Sequence, residues 1–444
     1  MIVMKFGGTS VANAERIRQV ADICRSFSSE KPVLVASAMG STTDNLLDAA
    51  QRALKGDVSI DAIKKLHFNA ARELEIAADE IEPLLDELEN LLKGIALIRE
   101  FSARTRDYLV SFGERLSVRL IAGHFNRQGW PAKFFDAWDL GFVSTSAFND
   151  ADVLDESYAK IKNTIGHLDA DYSYTPIVTG FIAKDCHGSI TTLGRGGSDL
   201  TASIIGAAVG AREIQVWKDV DGILTTDPRL VKHATPVRSI SFEEASELAY
   251  FGAKVLHPRS ILPAMKKGVP VRVKNSYNRE HPGTLILSRL DDEQELVRVI
   301  TFKKKVTVVD VVSTRMLGQH GFLARVFQIF ADEKVSVDML ATSEVSISMT
   351  LDHKNQSIEN LKNELEKIAN VNFKHGKTMV TMIGNVKRSS EILEKTFDLL
   401  KRQNINVQMI SQGASKVNIS FIIDDDQADT CITGLHRIFF ENHN

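Results

Sequence analysis

The sequence predicts an α/β protein in two parts: a mostly parallel central sheet sandwiched by helices, then two copies of a smaller strand-and-helix module. Three observations carry this. The chain opens with strand, glycine loop, helix and strand in succession, the pattern that builds parallel sheets. Buried-strand runs then alternate with helix-like stretches as far as residue 290. Beyond residue 300 the texture changes, and a segment recurs at a fixed offset of 70 residues.

Taken in order, Ile2 to Phe6 reads as a short buried strand. From Asn13, a natural N-cap, Ile17, Val20, Ala21, Cys24 and Phe27 recur at helical spacing. Pro32 introduces "VLVAS", a second buried strand. Residues 59 to 128 read as mostly helical, with Leu84, Leu85, Leu88, Leu91 and Leu92 on one apolar face. Strands resume at "KFF", "TPIVTGFIA" and "EIQVWKD", and "VPVRVKN" and "GTLILS" read as the last of the first part. The charged run "RLDDEQEL", 289 to 296, marks a boundary. In the repeat, "RVFQIFADEKVSVDML" parallels "KTFDLLKRQNINVQMI", with Phe327, Val335, Val337 and Met339 matching Phe397, Ile405, Val407 and Met409. Each copy is a strand, a loop, an amphipathic helix, two strands and a further helix. One copy has a small core, so the pair is expected to pack together or against copies in a partner chain. The expected domains are 1–290, 300–375 and 376–444.

Composition excludes several classes. An apolar content of 43% and a charged content of 25% are those of an ordinary globular protein. A formal charge of -3 argues against broad attraction to nucleic acid or anionic membrane. No apolar run approaches the roughly 20 residues of a bilayer span, and the opening residues do not read as a signal peptide. Cys24, Cys186 and Cys431 are far apart and odd in number, which suits a reducing compartment and argues against zinc or disulfide frameworks. A cytoplasmic protein is expected.

Two glycine loops carry the chemistry. In "MKFGGTS" a strand ends in Lys5, followed by Gly7, Gly8, Thr9 and Ser10. Glycines let backbone amides approach an anion, a following helix offers its positive end, and a lysine can follow a migrating phosphoryl group. The lysine precedes the glycines, so this is not a Walker A loop, and a plain tight turn reads equally well. In "TTLGRGGSDLTA" Gly194, Gly196 and Gly197 surround Arg195 just before a helix. A guanidinium there can hold a carboxylate through two bonds; Ser198 and Asp199 alone would pass as capping residues. "WKDVDGILTTDPR" adds Lys218 and Arg229 after a parallel strand, with Lys254 later; strand C-termini are where open α/β sheets bind ligands. Glu114 in "SFGERLS" and Thr42 and Thr43 in "SAMGSTTDN" would each pass singly as surface or capping residues. His124, His187 and His257 show no ligand spacing, and no metal site is expected.

Together, "KFGGTSV", "SAMGSTTDNL", "TTLGRGGSDLTA", "DVDGILTTDPR" and "FGAKVLHP" resemble the aspartate kinase family over essentially the whole chain. That resemblance implies the amino-acid-kinase fold followed by two βαββαβ ACT (ferredoxin-like) modules. It implies transfer of the γ-phosphoryl group of ATP to the side-chain carboxylate of L-aspartate, giving 4-phospho-L-aspartate, the entry to lysine, threonine and methionine synthesis. Lys5 would stabilise the phosphoryl group in flight and Asp199 would hold Lys5. Arg195 would grip the substrate α-carboxylate and Glu114 its ammonium, with Thr43 or Thr42 and Ser198 positioning it. Lys5, Phe6, Gly7, Gly8, Lys218, Asp219, Arg229 and Lys254 fall at nucleotide-binding positions, and magnesium is expected with ATP. Two departures stand out: Lys218-Asp219 where many members have Thr-Asp, and Leu224 where many have tyrosine. They bear on base and ribose contacts rather than on phosphate.

The first module has "RMLGQHGFLARVF", a glycine loop against a helix start, whereas the second has "NVKRSSEILEKTF" without those glycines. The first-copy loop resembles that of lysine-inhibited members, making Met316, Gln319, Phe322, Leu323, Val337, Asp338 and Glu344 the expected effector site. Threonine remains the competing effector, and a homodimer through the ACT modules is expected. Two rivals stand beside this reading: a related kinase acting on glutamate or carbamate, and a non-catalytic ACT-type amino-acid sensor.

Overall fold

The computed structural model describes residues 1–251, 256–290, 295–312, 320–351, 358–412 and 417–441. They form two compact units. Met1–Ile223, Arg238–Phe242 and Val255–Leu290 make the first; Leu224–Val237, Glu243–Lys254 and Asp291–Asn444 make the second.

The first unit's strands are β1 (Ile2–Phe6), β2 (Pro32–Ala36), β3 (Ala132–Phe135), β4 (Val143–Ser144), β5 (Thr175–Thr179) and β6 (Ile182–Asp185). They continue with β7 (Ile190–Thr192), β8 (Ile214–Lys218), β9 (Ser239–Ser241), β10 (Val271–Asn275) and β11 (Thr284–Leu287). Eight of them form one sheet in the order β3-β5-β2-β1-β8-β10-β11-β9. From β3 to β10 every pairing is parallel; β11 runs antiparallel to β10. Residues of β1, β2 and β5 are buried without exception, as a parallel sheet covered on both faces requires. The stretch "TPIVTGFIA" reads as one strand in sequence, yet the chain breaks it. Phe181 adopts φ 70°, and β6 leaves to pair with β4 and β7 in a three-stranded sheet. The helical region resolves into Asp61–Glu73, Glu82–Ile98 and Ala103–Arg127, and Leu84, Leu85, Leu88 and Leu92 are buried on the expected face. Asn13 caps its helix by accepting a hydrogen bond from the Arg16 amide.

Side-chain alternation decides what faces what. Ile2, Met4 and Phe6 pack into the main core with the helical layer and Trp217, whose ring stacks on Phe6 at 5.8 Å. The period of two therefore turns Val3 and Lys5 to the opposite face. Register pairs Lys5 with Val216 on β8, so Lys218, two residues on, shares the Lys5 face.

The second unit carries β12 (Val297–Val312), β13 (Val337–Thr342), β14 (Ser346–Leu351), β15 (Asn370–Gly384), β16 (Met409–Ser411) and β17 (Asn418–Asp424). They make one sheet, β13-β14-β12-β15-β17-β16. Residue 300, where the first module is expected to begin, lies inside β12. The Val306–Val312 half of that strand pairs with β14 and the start of β15, and its core contains Val309, Val311, Val326 and Phe330. The Val297–Lys303 half pairs with the end of β15 and shares a core with Val380, Ile392, Phe421 and Leu435. The first module is thus βαββαβ in sequence order, and the second takes one strand from ahead of the first.

Candidate active site

The C-terminal ends of β1, β2, β5, β8 and β10 open on one edge of the large sheet, and a cleft of about 290 Å³ lies there. Lys5, Thr43, Glu114, Phe181, Ser198 and Asp199 line it, with Gly194, Gly196 and Gly197. Helix Gly197–Val209 starts at the cleft, so its first-turn amides, unpaired within the helix, point their positive end inward. Gly194 and Gly196 hold φ of 69° and 74°, the left-handed region that lets the chain turn sharply into that helix. Arg195 stands exposed between them.

The charged centre is a buried cluster. Lys5 Nζ lies 2.6 Å from Asp199 Oδ1, and Lys218 Nζ lies 3.5 Å from Asp199 Oδ2. Burial pushes the Asp199 carboxyl up, but Lys5 and then Lys218 outweigh it and hold the group below its ordinary range. Burial also lowers the Lys218 ammonium, against the pull of Asp199 and with the repulsion of Lys5. Two lysines thus share one carboxylate, and of the three Lys5 and Asp199 line the cleft.

Glu114 is the second electrostatic feature. Its Oε1 accepts from the Ala38 amide at 3.2 Å, and its Oε2 is buried with no hydrogen-bond partner among the described residues. Burial pushes this carboxyl up to about 8, against the Ala38 hydrogen bond and the Lys5 charge. With that value Glu114 would be protonated at neutral pH, and a cation brought beside it would expel the proton. Aspartate KM is expected to fall as pH rises from 6 to 8, by up to about tenfold per unit, and to be flat in Glu114→Gln. A flat wild-type profile would remove the role. Because the folded value of about 8 exceeds the ordinary 4.5, this group's stabilisation is complete below pH 4.5 and is lost as pH rises through 8.

Of the paired threonines, Thr43 lines the cleft, whereas Thr42 is buried and donates to the Met39 carbonyl at 2.5 Å. The Phe6 ring is in the core, and the Gly7 amide donates to the Trp217 carbonyl at 3.4 Å. Asp219 is exposed just past β8. Arg229 belongs to the second unit, where it pairs with Asp227 at 2.6 Å, and Lys254 lies outside the described residues. In the effector set, Met316 and Gln319 also lie outside them. Phe322 begins helix Phe322–Asp332, Leu323 and Glu344 are exposed, and Val337 and Asp338 lie on β13. Asp338 pairs with Lys303 at 2.7 Å and accepts from the Tyr250 hydroxyl at 3.4 Å.

Some residues were silent in sequence. Ser37 donates to the Ser198 hydroxyl at 3.0 Å, and Asp107 accepts from the Thr192 amide and hydroxyl at 2.9 and 2.8 Å, fixing the strand that leads to Gly194. Gly180 packs against Ser198: a Cβ there would sit 2.6 Å from Ser198 Cβ and 2.9 Å from its Cα. Gly180→Ala is expected to cost about 1–3 kcal/mol of overpacking and to raise aspartate KM by displacing Ser198. Unchanged KM and melting temperature would show that the contact is slack.

The fold and cleft define a phosphotransferase of the amino acid kinase class: residues 1–275 match the amino acid kinase family, and 309–358 and 380–439 match the ACT domain. Aspartokinase 1, chloroplastic, of Arabidopsis thaliana is 51% identical over 99% of this chain and 80% of its own length. The crystal structure of E. coli aspartokinase III in complex with aspartate and ADP (R-state) superposes with a TM-score of 0.82 at 33% identity, covering 99% of this chain and 100% of that one. The same enzyme in complex with lysine and aspartate (T-state) gives 0.82 at 33% identity, with 99% of each chain covered. The chain belongs to the aspartokinase family.

Proposed function

We propose that this protein transfers the γ-phosphoryl group of ATP to the side-chain carboxylate of L-aspartate, giving 4-phospho-L-aspartate, and so opens the synthesis of lysine, threonine and methionine. The observation that carries the reading is the Lys5–Asp199 pair, which is backed by Lys218 and shares one cleft with Glu114 and a helix N-terminus. A carboxylate with an ordinary pKa of about 3.9 is ionised at neutral pH, so no protein base is needed. The task is to bring two anions together and to stabilise charge in flight. Lys5 follows the migrating group, and Asp199 keeps Lys5 and Lys218 aligned. The first-turn amides of helix Gly197–Val209 draw in negative charge. Glu114 takes the substrate ammonium and Arg195 its α-carboxylate, with Thr43 and Ser198 beside them.

Gly7, Gly8, Lys218 and Asp219 are proposed on the nucleotide side. Among the described residues no group of three or more His, Cys, Asp or Glu side chains could hold a metal ion. Magnesium is proposed to enter with ATP, gripped mainly by phosphate oxygens and water. The decisive assay offers aspartate, glutamate or carbamate with ATP, with and without lysine or threonine. Turnover confined to aspartate supports the reading; preference for another acid, or none, overturns it.

Lysine is the proposed effector, at the first ACT module, with Asp338 receiving its ammonium; the relative crystallised with lysine supports that choice. The proposed domain plan is 1–290, 300–375 and 376–444, with Val297–Lys303 assigned to the last. Exposed Leu340 and Ile410 on the edge strands β13 and β16 support a homodimer through these modules. No helix among the described residues is long and apolar enough to cross a membrane. The free thiols of Cys24, Cys186 and Cys431 suit a reducing compartment, for which the cytoplasm is proposed.

A further inference from the structure

A second cavity in the first unit, about 590 Å³, has the size of a metabolite site. Its wall includes Arg104, Arg115, Lys184, Glu87, Trp138 and Ser189, three cations to one carboxylate. Glu87 is already engaged: it accepts from the Tyr108 hydroxyl and lies 3.5 Å from Arg115. Arg115 is held by charge rather than by directed bonds. Its Nε is 3.4 Å from Asp136, and its buried Nε and Nη1 make no hydrogen bond among the described residues. Arg104, Lys184 and the part of the Arg115 guanidinium that lines the cavity offer an oxyanion cationic donors. Lys184 Nζ sits 4.2 Å from the centre of the Trp138 ring, which fixes the ammonium at the cavity wall.

Two elements connect this cavity to the catalytic cleft. Glu114 and Arg115 are consecutive on helix Ala103–Arg127, roughly 100° apart around its axis, and each lines a different cavity. The chain through strand β7 leads from Ser189 and Ile190 at one cavity to Gly194 at the other, and Asp107 ties the strand to the same helix.

We propose that this cavity binds a small polyanion, a phosphate ester or a polycarboxylate, and that its occupancy changes the affinity of the catalytic cleft for aspartate. The binding half stands by itself; the affinity half rests on the function proposed above. The ligand draws the β6–β7 hairpin, through Lys184 and Ser189, toward the helix that carries Arg104 and Arg115. That movement shifts both Glu114 and the Gly194 loop.

The test is titration calorimetry of the full chain with pyrophosphate and with citrate, at saturating ADP and aspartate so that the catalytic cleft is filled. At least one probe is expected to bind saturably, with a Kd of about 1 mM or tighter. The pair of probes separates phosphate from carboxylate chemistry. Arg104→Glu with Lys184→Glu, both toward the surface, should weaken binding at least about tenfold, which is 1.4 kcal/mol. Lys184→Gln alone gives a smaller loss should the double variant fold poorly. The bound probe should shift aspartate KM several-fold in the wild type and leave the double variant unmoved. Absence of saturable binding by either probe, or equal binding in the variants, overturns the proposal. Binding lost in the variants with KM unmoved upholds the binding half and overturns the affinity half.

Discussion

Lys5→Ala is expected to lower kcat by about 10²–10³-fold, the loss seen when one preorganised electrostatic donor is taken from a site of developing charge. The ammonium is buried at the end of β1, 2.6 Å from Asp199, in surroundings where its field is little screened. Its partner for ground-state aspartate would be weak, since Glu114 and Arg195 are assigned the substrate's fixed charges. Aspartate KM should therefore stay within a few-fold of wild type while kcat falls. Lys5→Arg should recover little, because a planar fork cannot occupy a space built for a compact ammonium. The check is steady-state kinetics beside a thermal melt and a lysine-induced melting shift. A correctly folded, lysine-responsive Lys5→Ala enzyme with turnover within tenfold of wild type would remove Lys5 from the chemistry.

Asp199→Asn carries the second large effect, and it acts on both stability and activity. The amide keeps the shape but removes the carboxylate that pairs with both Lys5 and Lys218. Breaking a buried pair by neutralising one partner costs about 3–5 kcal/mol, because the remaining charge stays desolvated. Here two ammonium groups are left facing each other, and burial and Lys5 already depress Lys218. Without that carboxylate the Lys218 ammonium loses what holds it up against burial and Lys5, so it should be depressed further. The sign follows: activity of the variant relative to wild type should rise as pH falls, since acid favours the ammonium form of Lys218. In wild type the Asp199 carboxyl lies below its ordinary range, so its stabilisation is lost only as pH falls through that depressed value. A variant whose pH profile matches wild type would show that Asp199 does not tune the lysines.

Much of this was legible because local rules and tertiary needs agreed. A strand ending in Lys5, a glycine loop around Arg195, the Asn13 cap and the repeat of Phe327 with Phe397 all announce themselves in one window of sequence. What was hidden is what distant segments decide. Nothing near Lys218 says that it shares Asp199 with Lys5; that follows from the β1–β8 register. Thr42 and Thr43 are indistinguishable until the helix start fixes which one turns inward. The break after β5 depends on Phe181 taking a left-handed conformation, which the apolar run "VTGFIA" masks. Burial raises the Glu114 carboxyl even though the Ala38 amide of the loop after β2, 76 residues away in sequence, donates to it.

The long strands β12 and β15 bear on how this protein can be divided. Both pass through the two modules, and the ladder between them is irregular around Lys303 to Val308, where Lys305 and Gly376 take φ of 59° and 66°. A fragment beginning at residue 376 would lack Val297–Lys303 and bare the side of β15, an open template for aggregation. Grafting that short strand onto the fragment's end through a flexible tether should yield a soluble, autonomous piece, making the C-terminal module a natural circular permutant.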